Sequence, residues 1–431
     1  MKKHLIAAAV AAAFAVPAMA QVTVYGRAEV TTELGRKVQV TSTTTAGGVT
    51  TVNGATQLVD LLGNGTAFGS FPGAAVRTGT TSRPAFTIQD GNTIGEGSSR
   101  FGFRGEEDLG GGLKALFQME AGVNIDDGSD NNGGGTLFAR TAMVGVSGGF
   151  GRVTFGRQVN PAFSVQAAGQ AMGTMNGYID GAQSVPPNAG GVRSSNSVMY
   201  SSPSFSGLSF SFLAAAAEGK GTTNAAANNQ QTVNSDRPGM SLGVNYSAGP
   251  LYLGLGWDKR ETKSNVSDRL TGVAASGSEL ELDQLVVSAS FNFGVARVFA
   301  TWTELDGDSV VRTATPNAVV REGGKERASA IGLTVPLGAS LFFAEYGTSK
   351  TGSLYSNTTT GAVITNNLLN VSISGKETAY SLGVRYALSK RSWTQAAYGQ
   401  YKIANRATGP EGAIADGDKR SGFALTLSHS F

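Results

Sequence analysis

Side chains able to do covalent chemistry are scarce in this sequence of 431 residues. There is no cysteine, which removes disulfides, thiolate metal sites and cysteine nucleophiles. The two histidines are His4 and His429, so a triad built on a histidine base has one candidate at most. Gly307-Asp308-Ser309 has the letters of a hydrolase signature, yet it falls in a polar loop with no histidine at hand. Asp126, Asp127 and Asp130, beside Gly133 to Gly135, offer carboxylates of the kind that hold calcium. They lack the EF-hand spacing and read as a solvated loop tip. The phosphate-binding and dinucleotide fingerprints are missing, so no cofactor is implied and catalysis has no support. What remains is charge at alternate positions: Arg27 and Glu29, Arg100 and Arg104, Lys114 and Glu120. Charges separated by two, four and six residues all fall on one face only in a strand, so a sheet must hold them.

The sequence supplies such a sheet. In Met240 to Tyr246 every even position is apolar and every odd one small or polar. Leu251, Leu253, Leu255 and Trp257 alternate with Gly254 and Gly256, and Phe423, Leu425, Leu427, His429 and Phe431 with Ala424, Thr426, Ser428 and Ser430. This is the pattern of strands with one apolar and one polar face. Sixteen such segments run from 22–34 to 420–431. Short turns, such as Asp108 to Gly112 and Gly148 to Gly151, alternate with long polar loops near 35–97, 125–137, 159–192, 215–238, 261–280, 307–326, 351–374 and 405–419. An up-and-down barrel crossing an outer membrane places short turns at one rim and long loops at the other. The predicted fold is therefore all-β: a sixteen-stranded antiparallel transmembrane β-barrel. A secreted soluble β-protein would alternate too, with its apolar faces turned to a dry core. Aromatic residues near strand ends (Tyr246, Trp257, Phe291, Phe293, Tyr386), charges on the polar face (Glu345, Arg385) and an even strand count favour the membrane.

The first twenty residues agree with that destination. Lys2 and Lys3 precede an apolar run from Leu5 to Val16, and Ala18-Met19-Ala20 forms a small-residue cleavage site. The run is shorter than the ~20 residues a membrane-spanning helix needs. Residues 1–20 read as a secretory signal cleaved after Ala20, leaving 21–431 as the barrel. Losing the two lysines lowers the formal charge from +3 to +1, so the composition gives no reason to expect a nucleic-acid partner.

Parity then assigns faces. Val22, Val24, Gly26 and Ala28 face outward, so Tyr25, Arg27 and Glu29 face the lumen; Phe101 and Phe103 face out, so Arg100 and Arg104 face in. A charge on the lipid face near the midplane would cost ~2–4 kcal/mol. Glu120 points inward with Lys114 and Gln118, as a partner that holds arginines extended.

The segment SSRFGFRGEEDLGGGLKALFQME, Ser98 to Glu120, resembles the second and third strands of Gram-negative general porins, particularly the beta-proteobacterial branch. VTVYGR at Val22 to Arg27, GRVTFGRQ at Gly151 to Gln158, SNSVMYSSPSFSGLSFS at Ser195 to Ser211, YALSKRSW at Tyr386 to Trp393 and a last strand ending in Phe431 fit as well. The resemblance implies a trimeric diffusion channel for ions and small hydrophilic solutes, with loop three (159–192) folded into the lumen as a constriction. It also implies contact with outer-membrane lipid and lipopolysaccharide, and recognition of the Phe431 strand by the barrel-assembly machinery. By the same resemblance Arg27, Arg100, Arg140 and Arg193 hold the positions of a basic ladder. Two departures are plain. The first loop, 35–97, is unusually long, and where many porins carry Pro-Glu-Phe in loop three this chain has Pro161-Ala162-Phe163, leaving Asp180 as the loop's only acid. An anion preference is expected, with Ala162→Glu shifting it toward cations. A channel selective for one anionic nutrient, or a surface adhesin or receptor scaffold, stands beside that reading.

Overall fold

The structure, a computed structural model, describes residues 21–41, 78–82, 86–90, 99–129, 137–171, 191–216, 219–225, 230–235, 239–268, 274–312, 318–351, 355–360, 376–404 and 419–431. Residues 1–20, where the cleaved signal was expected, Asp130, Asp180 and most of 35–97 lie outside the described residues.

Sixteen strands form the wall: β1 (Gln21–Thr41), β2 (Arg100–Gly110), β3 (Leu113–Gly122), β4 (Thr141–Gly148), β5 (Gly151–Val159), β6 (Arg193–Ser201), β7 (Leu208–Ala215) and β8 (Gly239–Ala248). They continue as β9 (Leu251–Asp268), β10 (Ala274–Asn292), β11 (Arg297–Arg312), β12 (Ala318–Leu337), β13 (Ser340–Thr351), β14 (Lys376–Ala387), β15 (Ser392–Ala404) and β16 (Lys419–Ser430). Each pairs antiparallel with the next, and β16 pairs with β1 from Arg27↔Ser430 to Gln39↔Lys419, so the barrel is closed. Closure leaves no sheet edge in the membrane. The seam is pinned at its short-turn end, where Gly26 and Phe431 exchange backbone hydrogen bonds of 3.2 and 3.1 Å. The Phe431 ring lies over Gly26, in space that any side chain there would occupy.

Alternation holds around the wall. On β10 Leu285, Val287 and Phe291 are exposed to the outside while Gln284, Val286, Ser288 and Ser290 are buried inside. The β2–β3 turn is possible because Gly110, Gly111 and Gly112 adopt φ of +83°, +62° and +81°, a region that side chains disfavour. Exposed Phe150, Phe205, Phe293, Tyr386 and Phe431 ring the short-turn rim. His429 also faces out at this rim, with Nδ1 2.8 Å from the Ser392 hydroxyl.

Several connections read as loops are strand. β9 to β13 run well beyond the apolar belt, and Gly307-Asp308-Ser309 lies within β11. Short strands at Thr78–Ser82 and Phe86–Asp90 extend β1, Gly219–Ala225 and Gln230–Ser235 form a hairpin that pairs onto β9, and Tyr355–Thr360 pairs with β12. Beyond the membrane both faces of a strand meet water, so the apolar alternation stops while the backbone ladder continues.

Candidate pore constriction

After β5 the chain turns inward as α1 (Pro161–Ala168). Asn160 precedes it in an extended conformation and Pro161 occupies the first turn, where its missing N–H costs nothing. The neck of the loop is tied: Asn160 Nδ2 donates to the Gly191 carbonyl at 2.8 Å, Ser194 Oγ donates to Asn160 Oδ1 at 2.8 Å, and Asn160 N donates to the Val192 carbonyl at 3.0 Å.

The helix lies on a seat of wall glycines. Pro161 packs on Gly243 of β8, Ala162 on Gly256 and Val165 on Gly254 of β9, and Ala171 on Gly332 of β12. Ala162 and Val165 are buried there, Ala162 N donates to Ser241 Oγ at 3.1 Å, and Ala171 N donates to a Glu345 carboxylate oxygen. The described part of loop three that follows β5, up to Ala171, therefore runs along the inner wall from β8 to β13. Ala162 faces that wall, so it is not the place where an acid would meet the pore; the exposed residue turned to the lumen is Ser164.

Across from Ser164, one section of the lumen is lined by Arg100, Arg140, Arg152 and Arg193 with Glu120. Glu120 organises the group: its carboxylate receives Arg140 Nε at 2.7 Å and Tyr25 Oη at 3.0 Å, and lies 3.7 Å from Arg100 Nε. Gln118 Nε2 donates to Tyr25 Oη at 2.7 Å, and the Arg104 guanidinium stands 5.0 Å from the Tyr25 ring centroid. Four guanidinium groups and one carboxylate leave this section with a net charge of +3. A second lumen pocket is lined by Arg157, Arg193 and Arg260 with Ser194 and Ser195; Arg260 Nε is 3.6 Å from Asp258.

The residues singled out in the sequence thus divide. Arg100, Arg140, Arg193 and Glu120 share one section. Arg27 is opposite Arg100 in register but is 5% exposed, 3.5 Å from the Glu29 carboxylate, and does not line that section. Arg152, Arg157, Arg260 and Ser164 were not singled out. Parity on β9 places Asp258 and Arg260 inside with Gly254 and Gly256. Arg157 is hidden because Gly156, at φ +124°, shifts the register, a bulge that breaks the count of two. Its Nε donates to the Ala139 carbonyl and Nη1 to Ser195 Oγ at 2.8 Å. On the inner face of β4, Met143 lines the lumen beside Arg152, and Gly145 makes room for Thr154. In the turn after β3, Asp127 accepts Ser129 N at 2.8 Å and Ser129 Oγ at 2.5 Å, which holds its carboxyl below the usual range.

A closed barrel with an apolar exterior, a charged lumen and a loop folded inside defines a membrane channel. The family model for the Gram-negative porins matches residues 7–406, and the chain belongs to that family. It is an outer-membrane porin. It is 35% identical over 218 residues to outer membrane porin protein 32 of Delftia acidovorans, spanning 48% of this chain and about half (54%) of that one. It is 28% identical over 335 residues to an outer membrane porin protein of Bordetella pertussis, covering 71% and 77% of the two chains. Among solved structures, the anion-selective porin from Comamonas acidovorans superposes with a TM-score of 0.54 at 22% identity, over 96% of this chain and all of that one.

Proposed function

We propose that this porin is an anion-preferring diffusion channel for ions and small hydrophilic solutes. One observation carries the reading: four wall arginines and a single carboxylate face a helix surface that presents Ser164 and no acid. Arginine stays protonated near neutral pH, and a ring of arginines favours anions where low-dielectric walls focus the field. Arg100, Arg140 and Arg193 set the charge, Glu120 holds Arg100 and Arg140 extended, and Arg27 supports the seam from behind. Asp180 is the one acid of loop three that would oppose them. The chain is exported with cleavage after Ala20, its last strand presents Phe431 to the assembly machinery, and lipopolysaccharide surrounds the outer rim. Three copies associate through the outer face of β1 to β5, where Val22, Val24, Val144 and Phe155 are exposed. The test is swelling of liposomes carrying the protein: small organic anions should enter faster than cations of equal size. Equal rates would leave a neutral sieve. A preference for one anionic nutrient has its own support in the pocket of Arg157, Arg193 and Arg260, and saturable block of current by that solute alone would distinguish it.

A further inference from the structure

Outward-facing charges appear in a row above the apolar belt on the side opposite β1 to β5. On β9 to β12 they are balanced: Lys259 pairs with Glu281, Lys325 lies 2.9 Å from Asp306, and Arg327 lies 2.6 Å from Glu304. On β13 to β16 they are not. Lys350 of β13 stands directly opposite Lys376 of β14, and Lys402 of β15 directly opposite Lys419 of β16. Lys350, Lys376 and Lys402 are exposed, on the outward parity of their strands, and make no ion pair among the described residues. The sequence between the first pair, 352–375, holds no charged residue at all. Like charges directly opposite destabilise a sheet, so the Lys350–Lys376 pair, which makes no ion pair among the described residues and has no charged residue in the connection between its strands, needs an anion from outside.

What lies beneath the row says which anion. Tyr346, Tyr380 and Tyr398 form an aromatic rim, with Tyr380 and Tyr398 ring centroids 6.2 Å apart and Phe423 4.9 Å from Tyr398. Lys350 and Lys376 are each four residues beyond a rim tyrosine, ~14 Å along the strand at ~3.4 Å per residue and ~10 Å in height at a tilt near 40°. That is the depth of a headgroup layer. Just inside the rim an apolar groove of about 470 Å³ crosses β12 to β16. Its floor is made by Gly383, Ala344 and Ala396 between the larger Phe342, Leu382 and Phe423. Cations stand above an aromatic rim, and an open apolar groove lies below it.

We propose that Lys350, Lys376 and Lys402 bind the phosphates of a phosphorylated glycolipid of the outer leaflet, with one of its acyl chains in the groove beneath. The proposal deepens the lipid contact suggested above and rests on it. The purified porin in neutral detergent would be titrated with bisphosphorylated lipid A, and bound lipid counted by native mass spectrometry. Each lysine near an anionic lipid contributes roughly a fivefold factor in affinity. Lys350→Gln with Lys376→Gln should therefore weaken binding about 25-fold, high salt should do the same to the parent, and Lys259→Gln should change nothing. Ala344→Trp, which fills the exposed groove, should weaken lipid A even with all lysines present. Heat-modifiable mobility checks that each variant is folded. Equal binding by the double variant, or equal binding of dephosphorylated lipid A, overturns the proposal. Disulfide-linked protomers formed in membranes by Lys350→Cys would also overturn it, by making this face a subunit contact. Channel current from the same preparations separates this failure from failure of the porin reading.

Discussion

Substituting Gly256 by valine tests whether loop three is held by its glycine seat. A Cβ at Gly256 would lie 2.9 Å from Ala162 Cα and 3.2 Å from Ala162 Cβ. Ordinary carbon contacts sit at about 3.5–4.0 Å, so the helix backbone must retreat by roughly an ångström for Cβ alone, and further for the two methyl groups. Overpacking of this kind costs ~1–3 kcal/mol. Against it stand the burial of Val165, worth ~1.5–3 kcal/mol, and the Ala162–Ser241 hydrogen bond, worth about 1 kcal/mol net. The two sides are comparable, so α1 should leave its seat in a substantial fraction of molecules and move toward the arginine wall. The strand should not suffer, because valine suits an extended backbone better than glycine does. Single-channel recording should show a folded protein with lower and noisier open current, and Gly256→Ala should fall between. Unchanged current and noise with valine in place would refute the docking of α1 on this wall.

Other outcomes follow from the same geometry. Glu120→Gln removes the carboxylate shared by Arg140 and Arg100. For an ion ~6 Å away the change is ~0.7 kcal/mol in a water-like dielectric, opposite in sign for anion and cation. The anion-to-cation permeability ratio should then rise about tenfold at low salt, at ~1.4 kcal/mol per decade, and much less near 1 M, where the Debye length is ~3 Å. Ser164→Glu should lower the ratio, whereas Ala162→Glu, aimed at the wall, should impair loop docking instead; bi-ionic reversal potentials separate the two. Deleting Phe431 removes both backbone bonds to Gly26 and the ring over it, so the heat-modifiable barrel in membrane fractions should fall, and Gly26→Val should act in the same direction.

Much of the wall was legible because a membrane barrel enforces a period of two: lipid on one side and water on the other sort residues such as Leu285 and Gln284 without help from the rest of the chain. The sequence pattern failed where that sorting ends. Strands β9 to β13 continue past the belt through Lys263, Asp308 and Glu322, where both faces are polar and only backbone pairing marks the strand. Arg157 was lost to the bulge at Gly156, which shifts the count by one. Gly254 and Gly256 were visible as small residues between outward leucines, but what they accommodate comes from a segment nearly a hundred residues earlier. The like-charged lysine pairs were hidden for the same reason: Lys350 and Lys376 look ordinary until register sets them face to face.

In the function proposed above, wall arginines facing an acid-free stretch of helix make the narrow section positive. The most direct test is the reversal potential of the unmodified protein in a planar bilayer across a potassium chloride gradient. The potential should take the sign set by chloride, grow at low salt, and stay unchanged between mildly acidic and mildly alkaline pH because arginine carries the charge. A potential of the sign set by potassium would contradict it and would place acids, from loop three or the first loop, at the constriction.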